Sequence, residues 1–186
     1  MDPLTVVRPR LATVWLGGCS GCHMSFLDMD ERLLDLLAQV DLVYSPLMDV
    51  KEFPEHVDIA LVEGAIANDD HLRQIQLIRD RSDVLVAFGD CAVTGNVTAL
   101  RNPLKSADVV LRHSYGRDDR LIPGLRPAPA DRPVPPLLDK VRTIRGCVRV
   151  DVYLPGCPPP AEVIFEVLSA IVSGRTAGIQ NRARLG

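Results

Sequence analysis

Cysteine is the residue type with the most chemical reach in this chain. Five occur among 186 residues: Cys19, Cys22, Cys91, Cys147 and Cys157. Four of them share one local setting. Cys19 and Cys22 follow the apolar run that ends at Leu16, in Gly17-Gly18-Cys19-Ser20-Gly21-Cys22. Cys91 follows Val84 to Phe88 in Gly89-Asp90-Cys91, and Cys157 follows Val150 to Leu154 in Pro155-Gly156-Cys157. Four thiolates gathered in one crevice make a metal site. Zinc in such a site favours two close Cys pairs, whereas here only Cys19 and Cys22 are paired. A 4Fe–4S cluster also takes four thiolates, and a cysteine followed by proline recurs in cluster-binding runs. The glycines at 17, 18, 21, 89 and 156 permit close backbone approach and offer N–H donors to sulfur. The spacing suits the cluster best. Zinc, and a thioredoxin-type redox pair at Cys19 and Cys22, stay open on the residues alone.

What could bring these thiols together is the arrangement of apolar runs. Leu11–Leu16, Leu42–Ser45, Val57–Val62, Val84–Phe88 and Val150–Leu154 read as strands, being short, apolar and rich in β-branched residues. Between them, helical spacing predicts a helix from about Cys22 to Val40, a second over Asn68–Arg79 and a last one over Ala161–Val172. Strands alternating with helices imply a mostly parallel sheet covered on both faces. The expected fold is therefore α/β: one flavodoxin-like, doubly wound domain over residues 1–186. In such a sheet all strand C-termini share one edge, where ligands bind. Distant cysteines can meet there.

Composition narrows the function classes. Apolar residues make up 47% and charged residues 24%, the balance of a soluble globular domain. A net charge of −3 argues against a nucleic-acid partner. No apolar run approaches the ~20 residues that span a bilayer, and no membrane partner is expected. Met1–Arg10 lacks the apolar core of a signal peptide, so the expected location is the cytoplasm, where thiols stay reduced and a disulfide framework is not expected. Residues 101–149 stand apart as a basic, proline-rich insertion before the last strand. They carry 11 Lys/Arg against 5 Asp/Glu, with six prolines between Pro123 and Pro136. Such a segment reads as a solvated loop or as a docking surface for an acidic partner, and Arg112, Arg117 and Arg120 are its candidate contacts.

Other residues are weighed more simply. Cys147 precedes the last strand and reads as a small buried hydrophobe. Glu63 follows a strand at the crevice edge, where a carboxylate could relay protons or hold local amides. His23, next to Cys22, could donate to cluster sulfur or to a partner, or simply start a helix. His56, His71 and His113 lie on polar segments and read as surface. There is no nucleophile elbow, triad spacing or Walker loop, so no catalytic residue is expected in this chain.

Four segments, in this order, carry a resemblance: Leu16-Gly-Gly-Cys-Ser-Gly-Cys-His-Met-Ser25, Val62-Glu-Gly-Ala-Ile66, Phe88-Gly-Asp-Cys-Ala92 with Gly95, and Leu154-Pro-Gly-Cys-Pro-Pro159. Together they resemble the small subunit of nickel–iron hydrogenases, and most of all that of cytoplasmic bidirectional, NAD-reducing enzymes. A related respiratory complex I subunit has adjacent cysteines at the first position, where this chain has C-x-x-C. The resemblance implies that Cys19, Cys22, Cys91 and Cys157 hold one 4Fe–4S cluster, with Glu63 and His23 as supporting residues. It implies that a separate large subunit holds the nickel–iron centre, and that diaphorase subunits with flavin and further clusters reduce NAD. FMN is then expected in the complex, without a subunit assigned to it. Another cytoplasmic hydrogenase class and a zinc-stabilised interaction module are the alternative readings. A free-standing flavodoxin-like carrier is a third.

Overall fold

The structure is a computed structural model that describes residues 8–115 and 134–175. Its centre is a parallel five-stranded sheet. In chain order the strands are β1 (Arg10–Trp15), β2 (Asp41–Tyr44), β3 (Val57–Glu63), β5 (Ser82–Phe88) and β7 (Val152–Leu154), arranged β2-β1-β3-β5-β7. Counting only these five, the order is 2-1-3-4-5, that of flavodoxin-like sheets, with the switch point between β1 and β3. The expected fold class holds.

Alternating side chains bury both faces. Leu11, Ile59, Leu61, Phe88 and Leu154 face one core with α1 (Gly21–Leu27), α2 (Glu31–Leu37) and α6 (Ala161–Val172). Ala12, Val14, Ala60, Val62, Leu85 and Ala87 face the other, where Ile75 and Ile78 of α3 (Asp69–Asp80) pack with Ala92 of α4 (Asp90–Thr94). Asn68 caps α3, its side chain accepting from the His71 N–H at 2.8 Å. Among the described residues no helix is long and apolar enough to cross a membrane.

Two expectations need correction. The helix predicted from Cys22 to Val40 is two helices, α1 and α2, with Asp30 between them at φ 51°. A helix interior cannot hold that conformation. The two halves answer to different anchors. On α1, Ser25 Oγ donates to Pro159 O at 2.6 Å, while on α2 the Arg32 guanidinium lies 5.7 Å from the Phe165 ring centre of α6. His71, expected at the surface, is half-buried, and its Nδ1 accepts the Ala67 N–H at 3.3 Å.

The described part of the 101–149 segment is woven into the fold. A 3-10 helix (Asn96–Arg101) leads to α5 (Ala107–Tyr115), and β6 (Leu137–Arg142) pairs antiparallel with β4 (Ile66–Asn68). Arg101 donates to Ala67 O at 3.0 Å and Leu138 O at 2.7 Å, and Asn102 bonds both backbone groups of Val141. Most of the proline-rich part, with Arg117 and Arg120, lies outside the described residues; Arg112 falls on α5.

Candidate metal centre

Strand register assembles the candidate site. Trp15 pairs with Glu63, Glu63 with Phe88, and Phe88 with Leu154, so the last residues of β1, β3, β5 and β7 form one row. Each cysteine loop leaves from that row. The loops are then tied to one another. Gly17 and Ala65 exchange two backbone hydrogen bonds at 3.0 and 2.8 Å. Asp90 donates its N–H to Gly156 O at 2.9 Å, and its side chain accepts the Gly156 N–H at 2.7 Å, joining the Cys91 loop to the Cys157 loop.

Backbone conformation at two glycines makes the fit. Gly89, at φ +81°, sits where a Cβ would overlap the Cys22 sulfur. Gly64, at φ +98°, lies under Gly17, and a Cβ there would come within 2.8 Å of the Gly17 nitrogen. The Cys22 sulfur occupies the space that glycine leaves at position 89. Cys19 and Cys157 are exposed, Cys91 is half-buried and Cys22 is buried.

Cys22 and Cys91 both sense the neighbouring thiols electrostatically. Burial pushes the Cys22 thiol strongly up, and Glu63, Cys91, Cys19 and Cys157 add to it in that order. Burial also raises Cys91, opposed by the nearby Thr98 side chain and assisted by Cys19, Cys157 and Glu63. Thiols that burial holds protonated, as Cys22 and Cys91 are, ionise more readily beside a positive centre, and metal binding requires the thiolate. A single zinc ion at about 2.3 Å from each sulfur would set them about 3.8 Å apart. Among the described residues, the only three potential ligand atoms within 4.8 Å of one another belong to His56, Asp58 and Asp83, at the opposite edge of the sheet. Four thiolates can also hold an iron–sulfur cluster, which places its own iron and sulfide between the cysteines.

Behind the thiols lies a buried carboxylate–imidazole pair. Glu63, the last residue of β3, is 1% exposed and His23 is 5% exposed. Glu63 Oε2 accepts the His23 backbone N–H at 3.0 Å and lies 2.5 Å from His23 Nδ1. The other oxygen, Oε1, faces Gly18, where a Cβ would stand 3.4 Å from it. His23 Nε2 is buried with no protein partner. Both residues named from the sequence therefore meet at the site. What sequence reasoning missed is the polar ring around it. Asn96 Nδ2 donates to Cys157 Sγ at 3.3 Å, and Thr98 Oγ1 donates to Gly17 O at 3.0 Å. Their only sequence signal is closeness to Gly95, whose left-handed φ of 87° turns the chain back towards the thiols.

Cys147 does not join the group. It is half-buried against the second core, raised by burial and opposed by Arg142, with none of the four thiols among its influences.

Comparison with known proteins fits this arrangement. The family model described as NADH ubiquinone oxidoreductase, 20 kDa subunit, matches residues 19–171. The chain is 40% identical over 180 residues to the NAD-reducing hydrogenase HoxS subunit delta of Cupriavidus necator, covering 94% of this chain and 86% of that one. It is also 40% identical, over 169 residues, to a chain of the F420-non-reducing hydrogenase vhu of Methanococcus voltae, covering 90% of this chain but only 58% of that one. The crystal structure of an NAD+-reducing [NiFe]-hydrogenase in the H2-reduced state contains a chain of 43% identity. The TM-score there is 0.84, over 90% of this chain and 93% of that one.

Proposed function

The chain belongs to the NADH ubiquinone oxidoreductase 20 kDa subunit family, among its nickel–iron hydrogenase small subunits, and from that premise we propose that it is an electron-transfer subunit built around one 4Fe–4S cluster. The cluster, when bound, supplies one-electron transfer. Cys19, Cys22, Cys91 and Cys157 would hold it, and the observation that carries this reading is their convergence at one row of strand ends with glycine where Cys22 needs room. Buried Cys22 and Glu63 line the inner wall and exclude water from that side. Asn96 supplies an N–H donor to sulfur.

The partners follow from the same premise. A large subunit would hold the nickel–iron centre where dihydrogen is split. Apolar side chains exposed near the thiol edge offer it a docking face: Trp15 at the end of β1, Met24 on α1, and Val97 and Leu100 on the 3-10 helix after Cys91. Diaphorase subunits carrying flavin and further clusters would exchange electrons with NAD, since a one-electron carrier cannot itself make or take a hydride. The complex would be cytoplasmic and reversible.

Five single Cys→Ala variants, made anaerobically, test the proposal. Iron and sulfide content should fall in the Cys19, Cys22, Cys91 and Cys157 variants and persist in Cys147→Ala. Full loss in Cys147→Ala with retention in Cys157→Ala would overturn the ligand set, and a colourless, zinc-bearing wild type would overturn the cluster.

A further inference from the structure

The Glu63–His23 pair is more than a support for the loop. A buried carboxylate is expensive unless a cation or several donors face it. Among the described residues Glu63 has no Lys or Arg within ion-pair distance; its partner is His23. Both hydrogen bonds fall on Oε2, one from the His23 backbone and one at Nδ1, leaving Oε1 turned towards Gly18 in the Cys19 loop. The clamp thus holds the carboxyl group in one orientation, with Oε1 against Gly18, the neighbour of Cys19. The burial of both residues keeps the local dielectric low, so a charge there acts over several ångströms with little screening.

We infer that Glu63, clamped by His23, is the residue that sets how readily the four-thiol centre accepts an electron. The inference rests on the cluster reading above. Each reduction adds one electron to the centre, supplied by the titrant in the test, and a fixed negative charge alongside opposes it. Glu63 would therefore hold the midpoint potential lower than the thiols and amides alone would set it. His23 is the positioning residue: it fixes where the charge stands and does not touch the electron itself.

The test is a redox titration of the anaerobically purified, iron-loaded full chain, followed by visible and electron paramagnetic resonance spectra. Glu63→Gln keeps the shape and removes the charge. It should make reduction about tenfold more favourable, a shift of about 59 mV to more positive potential for one electron. Glu63→Asp keeps the charge and should stay within about threefold of wild type, a bound set by the modest change in charge position. His23→Phe retains a ring beside Phe88 but cannot donate from Nδ1, and should shift the potential in the same direction by less. Glu31→Gln, at an exposed carboxylate, should leave it unchanged. An unchanged midpoint in an iron-loaded Glu63→Gln overturns the inference, as does a shift in Glu63→Asp equal to that in Glu63→Gln. If Glu63→Gln fails to load iron, His23→Phe decides, and an unchanged potential there overturns it. A wild type with no iron–sulfur signal instead defeats the cluster reading itself.

Discussion

Two carboxylates at opposite edges of the sheet, the half-buried Asp151 and the buried Glu63, are compensated in opposite ways. Asp151 lies just before β7, at the edge where the strands begin. Its Oδ2 accepts the Leu85 N–H at 2.9 Å and an Arg79 N–H, and its Oδ1 accepts Arg149 at 2.8 and 3.1 Å. Arg79 goes on to bond the carbonyls of Ser82 and Asp83. The carboxylate there is matched by two guanidinium groups of the chain. Glu63, at the edge where the strands end, has among the described residues only His23 and a set of thiols. A closed network fastens strands together; an open one awaits something the chain does not itself supply. The difference separates the edge that makes the fold from the edge that makes the site.

Perturbing the two edges should therefore give separable results. Gly89→Ala should have the largest effect, because its Cβ would overlap the Cys22 sulfur and its φ of +81° disfavours any side chain. Iron content should drop to background while far-UV circular dichroism keeps the α/β signature. Normal iron loading would break the account of that cradle. Asp151→Asn should do the converse. It should destabilise the fold by about 2 kcal/mol, for the loss of charge-assisted hydrogen bonds at a partly buried site, yet leave iron per chain unchanged. Urea unfolding beside iron analysis reads both; loss of iron without loss of stability would reverse the roles of the two edges.

The pH response sharpens the contrast. Burial alone would raise the Asp151 carboxyl, but the Leu85 N–H, Arg79 and Arg149 together hold it below the usual carboxylate range. A depressed folded-state value means stability that is present above the unfolded carboxylate value of about 3.9 and lost as pH falls through the lower folded value. Unfolding midpoints measured from pH 6 down to 2 should fall for wild type, with Asp151→Asn missing part of that drop. Parallel slopes would remove Asp151 as a source of acid sensitivity. The smallest effect belongs to Asn96→Ala, which deletes one N–H donor to the Cys157 sulfur. Iron should stay, and the midpoint potential should move slightly negative, opposite in sign to Glu63→Gln, because a donor to sulfur favours the reduced state. A positive shift would contradict that role.

Much of this was legible in the chain itself. Five apolar runs punctuated by glycine and proline identify the strands and their order of connection, since burial on both faces demands near-continuous apolar sequence. The last helix, Ala161–Val172, is observed with the bounds that its periodicity suggested. The four cysteines declare themselves by following those runs, and Cys147 by preceding one. These are local signals, carried by residue type and spacing. What sequence spacing could not specify is the cross-strand row of Trp15, Glu63, Phe88 and Leu154, because register depends on how distant strands pair. The break at Asp30 was hidden for a similar reason: helical spacing runs unbroken through it, and only the separate anchors of α1 and α2 force the turn. The short β4–β6 pair joins residues 66–68 to residues 137–142, too far apart for any local pattern to announce. Glu63 and His23 were visible as candidates, but not as a pair. Their 40-residue separation closes to 2.5 Å only because β3 ends beside the helix that carries Cys22. Residue type determined which groups could do the chemistry, and strand pairing and burial decided which of them face one another and with what charge left over.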